Sequence, residues 1–272
     1  MNLNNEPRKQ SEIEYRTKRL KISHKLKIFI IKYFSYLKKY SFIILPVIYL
    51  LLGSGAIIYN VQNPVDSLTE TWLDYSTVFE SLIRHIRLVG FASVGAVLTS
   101  VPLGILITRP KFRWLTPLVD NTINIAQTVP SIAILGLFYT ILGIGETTAL
   151  FALWLYSLLP ILRNTSIGIQ GIAPDIIESA RGMGMTSCRI FTKVEFPLAL
   201  PVIMAGIRTT VVICTGAATL ATFIGGGGLG DIISAGLNLD RYQLVYLGAT
   251  LSALFALLLD NVLGTLEQAL KR

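Results

Sequence analysis

Six stretches of this chain carry no charged side chain: Tyr40 to Val65, Leu88 to Thr108, Asn121 to Gly145, Thr147 to Leu162, Thr209 to Gly230 and Tyr242 to Leu259. A helix needs about 20 apolar residues, within roughly 17 to 25, to cross a hydrocarbon core. Most of the runs meet that length. The fourth, of 16 residues, is marginal, but Arg163 follows it and can reach the headgroups along its aliphatic stem. With 52% hydrophobic residues, 15% charged residues and a mean hydropathy of +0.60, the chain is too apolar for an ordinary soluble domain. An all-α integral membrane protein of six spans is expected.

The net charge of +8 could mark a nucleic-acid binder, so its distribution has to decide. With the N-terminus inside, six spans put 21 of the 24 Lys and Arg on the cytoplasmic side, leaving Arg84, Arg87 and Arg241 outside. The reverse orientation breaks the positive-inside bias. The charge therefore reports topology, with both termini cytoplasmic and no nucleic-acid partner. Eleven of these cations lie in residues 1–41, a basic tail that reads either as an amphipathic helix on anionic lipid or as a solvated segment that fixes orientation. The first span, 42–59, is expected to be retained, because no small-x-small cleavage site follows it. Residues 60–87 form an outer segment in which Trp72, Tyr75, Val78, Phe79, Leu82, Ile83 and Ile86 recur at helical spacing, as in an interfacial amphipathic helix.

Cys188 and Cys214 fall in different environments and are not expected to pair. His24 and His85 have no ligand cluster around them, so neither a metal nor a cofactor is expected. The run Gly225 to Gly230 lacks the lysine and hydroxyl residue of a phosphate loop and reads instead as a flexible turn after a helix. Residues 232–242 then suggest a short interfacial or re-entrant piece. Within the third span, Pro130 predicts a bend. Arg208 and Asp260 lie near span ends, where headgroup snorkelling accounts for them.

The loop 163–197 carries the most functional information. Pro174 and Asp175 suit the first turn of a short helix, and Ile176, Ile177, Ala180 and Met183 give it an apolar face. Gly182 and Gly184 offer a stop, and Thr186 or Ser187 can cap a second helix that runs toward Phe191 and Val194. The unit reads as a helical elbow projecting into the cytoplasm.

Glu178-Ser179-Ala180, then Gly184, then Val194-x-Phe196-Pro197 keep the spacing of a motif found in the membrane subunits of binding-protein-dependent ABC importers. Ser179, Val194 and Phe196 stand where that motif has Ala, Ile and Leu, and they preserve size class or hydrophobicity. The chain from about Thr77 to Asp260 also resembles the permeases of glycine betaine, carnitine and choline importers. That resemblance rests on the runs Tyr156 to Thr165, Gly182 to Thr186, Leu198 to Arg208 and Gly225 to Asp231.

It implies a type I ABC importer permease core of five transmembrane helices, here residues 88–272, with the first span as an extra N-terminal transmembrane helix. It also implies that Glu178, Ser179, Ala180, Gly184, Val194, Phe196 and Pro197 couple to a separate cytoplasmic ABC ATPase dimer. Further implied partners are a second permease, identical or closely related, and an extracytoplasmic substrate-binding protein, all at a bacterial plasma (inner) membrane.

Polar residues inside spans are costly and often face a cavity. That points to Gln127, Thr128 and Ser131 beside Pro130, and to Thr215, Thr219 and Thr222, as lining of a translocation pathway, although such groups also hydrogen-bond between helices. The function expected is transport without bond chemistry, for quaternary-amine solutes. A betaine-like or amino-acid-derived solute such as ergothioneine is the alternative. A secondary transporter is disfavoured, because no midspan acids or internal repeat are evident.

Overall fold

The structure is a computed structural model and describes residues 42–270. The basic tail, and with it the lipid-surface helix considered above, lies outside the described residues. All regular elements among the described residues are helical. Five helices there are long and apolar enough to cross a membrane: α1 (Phe42–Gln62), α3 (Tyr75–Ile107), α6 (Glu146–Gln170), the continuous stretch Ser187–Ile224 that contains α9, and α11 (Tyr242–Leu270). Between them lie α2 (Ser67–Trp72), α4 (Thr116–Thr128), α5 (Ser131–Leu142), α7 (Pro174–Gly182), α8 (Ser187–Ile190), α9 (Phe196–Ala218) and α10 (Leu229–Asn238).

The third run is broken. Thr128 turns its hydroxyl back to the Ile125 carbonyl at the end of α4, and Pro130, with φ −57° and ψ 138°, restarts the chain as α5. Proline cannot donate the helical hydrogen bond and pushes its predecessor toward extended backbone, so the expected bend becomes a full interruption. The fourth run, by contrast, gains length. The helix carries on past Arg163 to Gln170 and reaches 25 residues.

Two elements differ from the sequence reading. The outer segment is not a separate interfacial helix over its second half, because Tyr75–Ile107 is one helix of 33 residues. At 1.5 Å per residue it spans about 50 Å, more than the roughly 30 Å hydrocarbon layer. No glycine or proline interrupts it between Tyr75 and Arg87, and Glu146 pairs with Arg84 and Arg87, so these charges do not force an end. Arg208 and Asp260 do not reach separately for headgroups. Their side chains form a two-pronged ion pair at 2.7 and 2.8 Å between α9 and α11, with Glu267 at 3.4 Å. Each of these differences is a long-range partner supplied by another helix.

The centre of the bundle is small-residue packing. Ala92 of α3, Ala149 and Ala152 of α6, and Cys214, Ala217 and Ala218 of α9 are buried together with Leu88, Leu153 and Ile224. Lipid is as apolar as leucine, so helices in a membrane associate through close approach rather than through exclusion of water. A Cβ on Gly104 would come within 2.7 Å of Thr165 Cβ, and one on Gly168 within 3.1 Å of the Ala199 carbonyl, so α3, α6 and α9 touch nearly backbone to backbone. A second cluster joins α10 and α11 through Leu229, Ile232, Leu244 and Leu247, with Leu73 and Val78. Large apolar side chains such as Leu51, Phe91 and Leu98 point outward, as lipid-facing residues do.

Candidate functional site

The elbow forms as local chemistry dictates. Pro174 occupies the first turn of α7 and Asp175 places its charge at the positive end of the helix dipole. The helix stops through backbone bonds from Met183 to Ser179, from Gly184 to Arg181 and from Met185 to Ala180. The last two close around Gly184, whose φ of +79° is the left-handed conformation that glycine adopts without a Cβ penalty. Thr186 stands at the N-cap position of α8, though its side chain makes no capping hydrogen bond. The chain then passes through a π-helical turn, Phe191–Glu195, into α9.

This geometry divides the motif residues. Ala180 is 2% exposed and, with Val194 and Phe196 partly covered, holds the elbow together. Glu178, Ser179 and Pro197 face outward, as do Met183 at 71% and Ile176 at 43% exposure. A Cβ added to Gly184 would meet nothing within 4 Å. The elbow thus presents a surface with acidic (Asp175, Glu178), basic (Arg181, Arg189) and apolar elements around an open glycine. Cys188 lies exposed on it, whereas Cys214 is buried in the bundle, and both are free.

One contact here was not legible in the sequence. Arg109, just past the end of α3, places a guanidinium nitrogen 2.7 Å from Glu195 and its carbon 4.9 Å from the centre of the Phe191 ring. Glu195 is the unspecified position of the motif, and its charge among apolar neighbours was the only signal.

At the opposite end of α9 lies the glycine turn. Gly225, Gly227 and Gly228 have positive φ, Thr222 pairs with Asp231, and the Gly145 amide donates to the Ile224 carbonyl at 2.8 Å. Most of the segment 232–242, read as an interfacial or re-entrant piece, lies in α10, which starts at Leu229 and packs against α11 and the start of α3.

Beside the break between α4 and α5, a groove of about 810 Å³ opens along α6 and α9. Thr122, Val129, Phe138, Tyr156, Asn164 and Thr209 are among its lining residues. Of the residues read as pathway lining, Thr128 and Ser131 flank Val129 at the break, and the Thr128 side chain is exposed. Thr219 is partly exposed near the other end of α9, and the Gln127 side chain lies outside the described residues. Thr215 is fully buried, with its hydroxyl donating to the Val211 carbonyl at 2.9 Å. Thr222 is partly covered and engaged with Asp231. The structure therefore does not bring these residues to one surface.

Residues 100–272 match the family described as binding-protein-dependent transport system inner membrane component. The chain belongs to this family. The choline transport system permease protein OpuBB of Bacillus subtilis (strain 168) is 47% identical over 187 residues, which are 69% of this chain and 85% of that one. The glycine betaine/carnitine/choline transport system permease protein OpuCB of the same organism is 46% identical over 185 residues, 68% and 84% of the two chains. A carnitine transport permease protein OpuCB of Listeria monocytogenes is 42% identical over 210 residues, 77% and 90%.

Among solved structures, an inward facing MetNI methionine ABC transporter chain matches with a TM-score of 0.63 at 23% identity, covering 72% of this permease and 96% of that chain. This last likeness shows the fold, a type I ABC importer permease. Four of the helices long enough to cross a membrane belong to this core, α3, α6, the stretch containing α9, and α11, with the broken pair α4 and α5 between α3 and α6 and with α1 preceding them. The permease is thus a multi-pass transport subunit rather than an enzyme. It works with an ATPase, a substrate-binding protein and a second permease.

Proposed function

We propose that this permease imports quaternary-amine compatible solutes, namely glycine betaine, carnitine or choline. The observation that carries this is the 42 to 47% identity to permeases of those solutes over more than four-fifths of each relative's length. Aromatic cages hold quaternary ammonium groups by cation–π attraction, and selection of the solute belongs to the external binding protein. A thermal-shift screen of the cognate binding protein tests the reading. Stabilisation by one of the three solutes is expected, whereas stabilisation by ergothioneine or an amino acid alone would move this permease to the alternative.

In the same proposal the elbow faces the cytoplasm and docks on one subunit of the ATPase dimer, with Glu178, Ser179 and Gly184 on the docking surface and Ala180, Val194, Phe196 and Pro197 shaping it. The support is the exposure of that surface together with the charge distribution, since Arg84 and Arg87 lie in the first half of α3 and Arg241 immediately precedes α11, toward the end away from the elbow. Cys188 is a natural reporter. A membrane-impermeant maleimide should label it in inverted vesicles and spare it in intact cells, and labelling in intact cells would remove the docking surface from reach of the motor.

The pathway is proposed to run along the groove at the α4–α5 break, closed on its open side by the second permease, whether a second copy or a close relative. Thr128, Ser131 and Gln127 lie at the break, and Thr219 lies farther along α9. Thr122, Tyr156, Asn164 and Thr209 join them as lining. Thr215 is reassigned to packing between helices, because its side chain is fully buried in the bundle.

A further inference from the structure

The elbow is joined through the chain to α6 and α9 only. α3 has no covalent connection to it, yet Arg109 reaches from the end of α3 to two residues of the outgoing arm, Phe191 and Glu195. These are the first and last residues of the π-helical turn, which closes through the Phe196 amide donating to the Phe191 carbonyl. A π turn holds one residue more per hydrogen bond than an α turn, recurs at functional sites and is a natural place for a helix to flex. The Phe191 and Phe196 rings also pack together, tilted by 57° with centroids 5.8 Å apart. The guanidinium therefore grips both ends of the one irregular turn between the elbow and its span. The ion pair is partly withdrawn from water, with side-chain exposures of 31% for Arg109 and 15% for Glu195. A planar guanidinium can serve a carboxylate and an aromatic face together, which an ammonium group cannot match.

We propose that Arg109 is a positioning residue for energy coupling. It locks the π turn against hinging, so that displacement of the elbow by the ATPase is passed to α9 and α3 together instead of being absorbed at the joint. At Gly104 and Gly168, α3 meets α6 and α6 meets α9 nearly backbone to backbone, so the three helices are closely packed next to the clamp. On the α9 side of the elbow the irregular segment is the π turn that Arg109 spans. This inference rests on the docking reading above.

The test uses the complete transporter in proteoliposomes, with its ATPase, binding protein and second permease, and radiolabelled glycine betaine as the probe. ATP hydrolysed per solute imported is compared for wild type, Arg109→Gln, Arg109→Lys and the charge exchange Arg109→Glu with Glu195→Arg. Arg109→Gln is expected to keep its ATPase bound and to raise the ratio at least fivefold. Arg109→Lys should fall between Gln and wild type, and the exchange should return the ratio to within about threefold of wild type. An unchanged ratio in Arg109→Gln overturns the proposal, as does an assembled exchange variant that stays uncoupled. If Arg109→Gln fails to assemble and the exchange does not restore assembly with coupling, the residue serves folding alone and the proposal is likewise overturned. Failure of the docking reading registers separately, as normal ATP-dependent uptake by Gly184→Trp.

Discussion

Two glycine-bearing turns sit at the two ends of the α9 stretch, and they use glycine for opposite reasons. In the turn after α9, the space belongs to the protein itself. A Cβ on Gly225 would lie 2.7 Å from Ile144, one on Gly227 2.6 Å from Arg84, and one on Gly230 would overlap the Thr219 carbonyl oxygen. In the elbow, Gly184 has the same left-handed backbone with nothing of its own chain near its missing side chain. One turn is glycine-rich because the fold is full there. The other has a glycine whose missing side chain faces open space, which under the docking proposal is the space the ATPase takes.

The contrast breaks if the two turns respond alike to substitution. Gly230→Val should have the largest effect. Its side chain must displace backbone of the same chain, so the cost reaches or exceeds the roughly 1–3 kcal/mol typical of overpacking. The expected outcome is little or no monodisperse protein in detergent, read by fluorescence-detected size exclusion. Gly184→Trp should insert and purify normally but lose uptake by at least about tenfold in proteoliposomes. Gly184→Ala separates the two requirements at this position. A left-handed alanine costs about 1–2 kcal/mol locally, which should slow uptake only modestly if bulk against the ATPase is the main obstacle. Normal ATP-dependent uptake by the Trp variant would mean that the elbow surface is not occupied by the motor.

A smaller effect sharpens the elbow side of the comparison. Glu178→Lys reverses an exposed charge on α7 without touching the packing of Ala180. Recovery of the ATPase on this chain should drop several-fold while the yield of the permease itself is unchanged. Equal recovery would make the carboxylate irrelevant to docking.

The difference between the two turns also explains what was legible in the sequence. The elbow was readable because its determinants are local: Pro174 and Asp175 start α7, Gly184 ends it, and the spacing to Pro197 is a short-range pattern. The spans were readable from their apolar runs, and Pro130 marked the break between α4 and α5. What could not be read is whatever a distant helix supplies. Glu146 compensates Arg84 and Arg87, so α3 extends back to Tyr75. Asp260 and Glu267 engage Arg208, and Glu195 engages Arg109. Polar residues chosen by their place in a span likewise could not reveal which way they face. The groove is lined by Thr122 and Thr209, while Thr215 is buried among the helices.

The smallest effect is expected at the glycine-turn end, where the loops are fastened to each other rather than offered to a partner. Asp66 caps α2 by accepting from the Thr69 amide and hydroxyl, and it pairs with Arg241 beside the start of α11. The Thr69 hydrogen bonds, with the Arg241 charge behind them, hold the carboxyl below its ordinary value of 3.8. A carboxylate whose folded-state pKa is depressed contributes stability that is fully present above the unfolded value and fades as pH falls through the folded one. Thermal midpoints of the purified permease should therefore be insensitive to this group between pH 7 and pH 5 and should fall below about pH 4. Asn can still accept the α2 amide, but it carries no charge for Arg241 and no proton to gain. Asp66→Asn should start slightly lower and lose less on acidification, with ATPase recovery unchanged at neutral pH because the elbow is at the other end of the bundle. Parallel acid profiles for the variant and wild type would show that this fastening does not contribute. A loss of ATPase recovery would show that the two ends of α9 are not the separate structures their glycines make them out to be.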